Sequence, residues 1–451
     1  MPLPPGPSSP PLVQTMRWFW RPIAFMEECR RRYGDAFSVT FLGFRTPMVM
    51  VCDPETVRAL YTEPLNGLPP GRALALEPIM GPRSILLLEG SEHLARRRLM
   101  LPPLHGERMR SYLPVVEEIV GAEIESWPLD TAMALHPRMQ AVTLEVILRV
   151  VFGVADAGRL SRLRDLLGQV LAETAAPAAQ LATLVTRRVP DRGPWARFMG
   201  LLGAVDEVLY AEIAERRADP GLEQREDILS ALVAARFDDG RPMEDSELRD
   251  QLMTLLLAGH ETTATALAWS FDLLLHNPGP LARLRAELRE GGEDYLRATI
   301  AESLRLRPVV PLAGRRLAAD LDAGGVRLEA GTDVTPAIWL THTRAGLYPE
   351  PLAFRPERFL ESPPETYSWI PFGGGVRRCL GAAFAEFEMR VVLREVLLRC
   401  ELLAADPRPE RPARRNVTLS PRNGTRVRVT ARRRLREPGK VEPALARPAL
   451  D

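Results

Sequence analysis

Residues 246–276 form a run without a proline, rich in leucine and alanine, and Asn277-Pro278 stops it. Read as one helix with Asp245 or Ser246 as N-cap, it would extend about 46 Å at ~1.5 Å per residue, the width of a domain. Such a helix should cross the core. Its centre breaks the apolar pattern: Ala258-Gly259-His260-Glu261-Thr262-Thr263 puts polar groups beside a glycine that costs about 1 kcal/mol relative to alanine. Local rules broken inside a core point to function. A zinc-protease helix needs a second histidine four residues after His260, and Ala264 stands there instead. A purely structural reading has the Thr262 hydroxyl bonded back to the carbonyl of Ala258, bending the helix.

Composition removes other chemistries. The chain has 451 residues with one lysine, Lys440, against 58 arginines. Schiff-base, phosphate-loop and kinase-strand lysines need an ordered lysine in a core motif, whereas Lys440 lies in a Pro/Arg-rich tail. Cys29, Cys52, Cys379 and Cys400 contain no close pair, which argues against zinc ribbons and Cys-ligated iron–sulfur clusters. Irregular, sparse cysteines and no recognisable cleavable signal lead us to expect a reducing cytoplasm. Near-balanced charge, +1 overall with a pI of about 7.8, lacks the basic footprint of a nucleic-acid binder. No uncharged apolar run reaches the roughly 18 to 20 residues of a bilayer span, so no transmembrane anchor is expected.

The expected layout is a Pro-rich N-terminal arm (1–14), a single domain (15–430) and a disordered tail (431–451). Within the domain we expect a helix near 25–33, a hairpin of 37–41 with 48–52, and helices from about 55 to 306. A strand at 326–334, a helix at 382–400 and a hairpin in which Asn423-Gly424 joins 416–419 to 425–430 complete it. The fold class is mainly α with a small β part.

The most specific segment is Phe372-Gly373-Gly374-Gly375-Val376-Arg377-Arg378-Cys379-Leu380-Gly381. Glycines before a cysteine at a helix start let the backbone pass close to a flat or bulky group, and amides at the end of such a loop lower a thiol's pKa. A buried core cysteine beside a glycine turn is the plainer alternative. Phe372, Gly375, Arg377, Cys379 and Gly381 match F-x-x-G-x-R-x-C-x-G. On this motif the chain resembles the cytochrome P-450 superfamily, in its bacterial soluble form, over about residues 15–430.

The resemblance implies that fold, with haem between the long central helix and the Cys-bearing loop and helix. It makes Cys379 the proximal ligand of the haem iron and leaves the other cysteines to packing. Residues 258–263 then resemble the family's oxygen-binding groove. Ala258 and Gly259 lie against the cofactor, Gly259 leaves room for dioxygen, and Glu261 and Thr262 are the catalytic pair that relays protons to it. His260 receives no role. Relatives that consume hydrogen peroxide typically replace the pair, so dioxygen with two electrons is expected. Glu302, Arg305 and Arg358 resemble a structural triad that locks the loop leading to Cys379. His93 and Arg97 share a helix face and, with Arg315 and Arg377, match positions that bind the haem propionates. Ser84, Ile85, Leu257, Ala258, Val310, Leu312 and Val417 fall at substrate-pocket positions, all apolar or small.

The function implied is a cytoplasmic, monomeric haem b monooxygenase that inserts one atom of O2 into a hydrophobic small molecule. The reaction is hydroxylation or epoxidation of a fatty acid, terpenoid, steroid or similar compound, as in secondary metabolism. NAD(P)H electrons would arrive from a separate ferredoxin or flavodoxin and its reductase, drawn to Arg377, Arg378 and Arg98. The alternative is a non-catalytic haem-binding or ligand-sensing protein, and the Glu261-Thr262 pair counts against it.

Overall fold

A computed structural model describes residues 2–44, 46–62, 67, 77–175, 193–415 and 417–433. The long run is one helix, Asp245–Leu275, which starts one residue earlier than expected because Glu244 caps it. The Glu244 side chain accepts from the Glu247 backbone, and the Glu244 N–H donates to Glu247 Oε2 at 3.1 Å. It crosses the core as its length requires. Helices Leu135–Val146, Gly193–Ala218, Asp294–Leu306 and Ala382–Arg399 all pack on it. Its Leu252, Leu256, Leu267 and Phe271 have no exposed surface and join Val146, Leu296 and Val392 in the main apolar cluster. The chain is mainly helical with small sheets.

The principal sheet runs Ala36–Val39, Met48–Val51, Asp333–Pro336, Arg315–Arg316, with the expected antiparallel pairing of the first two. Three expectations on the β part and the arm need correction. The strand at 326–334 is two strands: Val326–Leu328 pairs with Leu321–Ala323, and after Gly331 turns the chain at φ 82° Asp333–Pro336 joins the main sheet. The final hairpin is not one either. Thr418–Pro421 pairs with Pro412–Arg415, and Arg426–Arg432 pairs with Cys400–Ala404 and Ala132–Ala134. Asn423-Gly424 is the corner between those two sheets, held by Glu410, whose carboxylate accepts the N–H groups of Asn423 and Thr425 at 3.0 and 3.1 Å. The Pro-rich arm ends early, since helix Pro11–Trp20 begins inside it. Proline suits a first helical turn, and the Gln14 amide donates to the carbonyls of Pro7 and Ser9 at 3.1 and 2.7 Å. Of the expected tail, 434–451 lies outside the described residues, and strand Arg426–Arg432 runs past the expected domain end.

What ties the helical part to the cysteine loop is a buried ionic network. Glu302 and Arg305 have no exposed surface, and Arg358 is 9% exposed. Arg305 donates to both Glu302 oxygens at 2.6 and 2.8 Å, Arg358 donates at 3.1 Å, and the Arg355 backbone N–H adds a fourth bond at 2.9 Å. Further guanidinium protons go to the carbonyls of His342, Pro349, Glu350, Pro351 and Ala353. His342 carries the network onward. Its Nε2 accepts the Ile370 N–H at 2.8 Å, so the ring proton sits on Nδ1 and donates to the Arg305 carbonyl at 3.1 Å. Complete burial pushes the His342 pKa down to about 3, which keeps this tautomer neutral. From Ile370 the backbone continues through Gly373 N–H to Ile370 O and Cys379 N–H to Phe372 O, at 3.0 and 2.9 Å.

Breaking such a network strands a buried charge. Arg358→Leu and Glu302→Gln are each expected to lower unfolding free energy by about 3 to 5 kcal/mol. Urea titration followed by circular dichroism checks this, and midpoints equal to the parent protein's would contradict it.

Candidate active site

The cysteine loop starts where helix Pro54–Thr62 ends against it. A side chain at Gly375, which has φ 64°, would place its Cβ 2.1 Å from the Tyr61 carbonyl oxygen; one at Gly374 would lie 2.5 Å from the Tyr61 ring. The bulky group that these two glycines admit is therefore Tyr61. Cys379 follows, and unlike the other three cysteines it is exposed. Burial pushes its thiol above the ordinary range, while the Gly381 N–H, Arg97 and Arg378 pull it down. Cys29, Cys52 and Cys400 are buried, with pKa values pushed up to about 11, 12 and 11, as suits packing residues.

Arg97 and Arg378 act on the thiol, and Arg97, Arg315 and Arg377 converge on a neutral His93. His93, on helix Gly90–Met100, is 4% exposed; burial first, then Arg377, Arg97 and Arg315, push its pKa down to about 4. Arg315 is 7% exposed and among the described residues donates to the carbonyls of Ala313 and Gly314, at 3.3 and 2.9 Å, with its guanidinium over the Tyr61 ring. Arg377 donates to the Leu88 carbonyl at 2.6 Å. Desolvation lowers the pKa of both Arg97 and Arg315, and among the described residues neither is ion-paired to a carboxylate. Buried guanidiniums without an acid are costly, so this arrangement calls for an anionic ligand.

The central helix presents an open face in its middle. Ala258 is exposed although Leu256 and His260 beside it are buried. The Thr262 hydroxyl does donate to the Ala258 carbonyl, at 2.5 Å, which is the back-bond of the structural reading. That bond uses the hydroxyl proton and leaves the oxygen lone pairs to accept. Glu261 is held from helix Leu135–Val146: Gln140 Nε2 donates to it at 2.6 Å and His136 Nε2 lies 3.6 Å away. Burial raises the Glu261 pKa, whereas burial and Arg415 push that of His136 down to about 4. His260 is buried and reaches the Gln140 carbonyl at 3.1 Å. A Cβ at Gly259 would meet Ile147 at 3.7 Å, an ordinary contact.

The pocket residues divide. Ser84 and Ile85 are fixed to the central helix, Ser84 Oγ lying 2.6 Å from Thr254 Oγ1 and the Ile85 N–H donating to Gln251 at 3.0 Å. Leu257 and Val310 are partly buried against the main cluster, as are Phe372 and Leu380. Leu312 packs instead with Trp18, Phe25 and Trp339, because its bridge to Ala337 turns it to the sheet side. Val417 is 53% exposed, at the turn before Thr418–Pro421. Sequence reasoning missed Gln140, His136, Tyr61 and His342, none of which stands in a motif. Among the described residues no helix is long and apolar enough to cross a membrane.

Comparison with known proteins agrees with this geometry. The family model described as Cytochrome P450 matches residues 4–428. A Mycobacterium tuberculosis protein named provisionally as cytochrome P450 135B1 is 42% identical over 440 residues, covering 96% of this chain and 92% of its own. Another from that organism, named provisionally as cytochrome P450 137, is 43% identical over 403 residues, covering 88% and 83%. Among solved structures, retinoic acid-bound cyanobacterial CYP120A1 superposes with a TM-score of 0.80 at 23% identity, covering 96% of this chain and 100% of that one. The haem domain of cytochrome P450DA does so with 0.83 at 21% identity, covering 96% and 98%. A match across nearly the whole chain, a cysteine loop tied to a buried Glu–Arg network and a central helix opened at its middle lead to one conclusion: the chain belongs to the cytochrome P450 family.

Proposed function

We propose that this chain hydroxylates or epoxidises an apolar small molecule, a fatty acid, terpenoid, steroid or compound of similar character, with Cys379 as iron ligand and Glu261 and Thr262 handling protons. Family membership makes it a haem b monooxygenase, with dioxygen as co-substrate and NAD(P)H electrons delivered by partner proteins. The observation that carries the residue-level reading is that Cys379, alone of the four cysteines, is exposed, and that half-buried Arg97 and exposed Arg378 stand near it.

The residues present fit haem. Cys379 would ligate the iron. Arg97 and Arg315, which lack a carboxylate partner among the described residues, would hold the propionates together with Arg377 and His93. His93, neutral at physiological pH, would contribute a hydrogen bond and not a charge. When bound, haem supplies an iron centre at which dioxygen is activated for transfer of one oxygen atom. Around it Leu257, Val310, Phe372 and Leu380 offer apolar surface, which supports a hydrophobic substrate. Thr262, its proton committed to Ala258, would accept a hydrogen bond at the open face. Glu261, with its pKa raised and its carboxylate anchored by Gln140, would take up and return protons.

Electrons would come from a cytoplasmic ferredoxin or flavodoxin with its reductase, meeting a monomeric enzyme. Exposed Arg378 supports a basic docking point near the thiol. Arg98, 66% exposed, is paired with Asp238 at 2.7 Å, so its attraction for an acidic partner is reduced.

Thr262→Ala should leave oxygen consumption in place while product per oxygen falls by about tenfold or more and hydrogen peroxide appears, with Thr262→Ser restoring much of the yield. Oxygen electrode and product assays read this, and an unchanged yield would remove Thr262 from the relay. Replacing Arg97 and Arg315 together with leucine removes two charge-assisted bonds of about 1.5 to 3 kcal/mol each, so haem affinity should fall at least tenfold. Haem transfer to apomyoglobin measures it; equal retention would contradict the assignment.

A further inference from the structure

Three hydroxyl side chains of the central helix, Thr254, Thr262 and Ser270, donate to the carbonyl one turn back, at 2.6, 2.5 and 2.9 Å. Thr265, one turn past Glu261 and without exposed surface, turns its hydroxyl to side chains instead. Its Oγ1 lies 3.4 Å from Glu261 Oε1, 3.1 Å from His136 Nε2 and 3.3 Å from Ser420 Oγ. Behind it, His136 Nδ1 lies 3.4 Å from Arg415 Nη1, and Arg415 is exposed at the end of strand Pro412–Arg415. A line of polar contacts thus joins the surface to Glu261.

The direction of these bonds follows from which groups can donate. A guanidinium has no acceptor, so Arg415 donates to His136 Nδ1, and the single proton of the neutral ring then sits on Nε2. The ring is neutral because burial first, then Arg415 and His260, push its pKa down to about 4. Nε2–H therefore donates to Thr265 and leaves the Thr265 proton to Glu261. Ser420 offers that proton only a neutral oxygen, a weaker acceptor than a carboxylate. With the opposite tautomer, Nε2 would take the Thr265 proton and Glu261 would lose a donor. We propose that Arg415 is a positioning residue for proton transfer at Glu261, acting through the tautomer of His136 to keep the Thr265 hydroxyl donating to the carboxylate. This rests on Glu261 handling protons in the reaction. The charged and titratable groups facing the line are Glu261, His260 and Arg415, while Gln140 holds the other Glu261 oxygen. A donor to the charged form favours it, so the line opposes the effect of burial on Glu261.

Nitrogen-15 spectra of the histidine rings in the haem-loaded chain, reduced and bound to carbon monoxide, read the tautomer without turnover. His136→Gln identifies the signal among the six histidines. His136 should carry its proton on Nε2 in the parent and shift toward Nδ1 in Arg415→Met, with Arg415→Lys closer to the parent. A parent His136 protonated on Nδ1, or on both nitrogens at neutral pH, overturns the proposal on the unmutated fold. The carboxylic-acid infrared band that Glu261→Gln removes gives a second readout. Thr265→Val and Arg415→Met should each raise its pH midpoint by about one unit, and the double variant by little more than either alone. Midpoints that stay with the parent's, or that add in full as a direct charge effect of Arg415 would, overturn it. Product assays separate the proposal from the reading beneath it. A Glu261→Gln variant with the parent's product per oxygen removes Glu261 from the relay and the proposal with it. Loss of product in Glu261→Gln, beside an Arg415→Met variant with the parent's tautomer and midpoint, removes the proposal alone.

Discussion

The interaction on which the rest of this structure depends is the carboxylate of Glu302, withdrawn from water and shared between Arg305 and Arg358. Removing a carboxylate and two guanidiniums from water costs several kcal/mol per ion, so the arrangement persists only because every oxygen and nearly every N–H finds a partner. Those partners are carbonyls at 342, 349, 350, 351 and 353, which lie on the chain segment between the principal sheet and the cysteine loop. The ion pair therefore fixes a long stretch of backbone that has little regular structure of its own. His342 extends it by one hydrogen bond to Ile370, nine residues before Cys379.

The site built on that frame is electrostatically divided. On one side stand Arg97, Arg315 and Arg377 around a neutral His93, and Cys379 feels Arg97 and Arg378. On the other, the central helix offers Glu261, raised by burial, and a threonine whose proton is already committed. A formal charge of +1 for the whole chain gives no hint of this separation. It arises because Arg97, Arg315 and Arg377, carried by different elements, converge on His93 in the fold, and among the described residues neither Arg97 nor Arg315 is ion-paired to a carboxylate.

Much of this was legible in the sequence. The 31-residue central helix followed from the absence of breakers, the cysteine loop from its ten-residue motif, and the triad from the resemblance of E-x-x-R and the P-E-R-F-like segment to those of the family. What was not legible depends on tertiary pairing. Asn423-Gly424 carries the local signature of a hairpin, yet Glu410, thirteen residues away, makes it a corner between two sheets. Leu312 reads as a pocket residue by position, yet it packs against the apolar cluster on the principal sheet. Gln140 and His342 gave no signal because a lone polar residue in a helix has no period; only the partner it meets reveals it. Helix Pro11–Trp20 was hidden by the prolines before it.

The central claim is that Cys379 holds haem iron as a thiolate, and the spectrum of the dithionite-reduced protein under carbon monoxide tests it most directly. The account predicts a Soret band shifted to the red, in the position given by thiolate ligation, and its loss in Cys379→Ala. A parent protein without that band, or a Cys379→Ala variant that keeps it, would contradict the account.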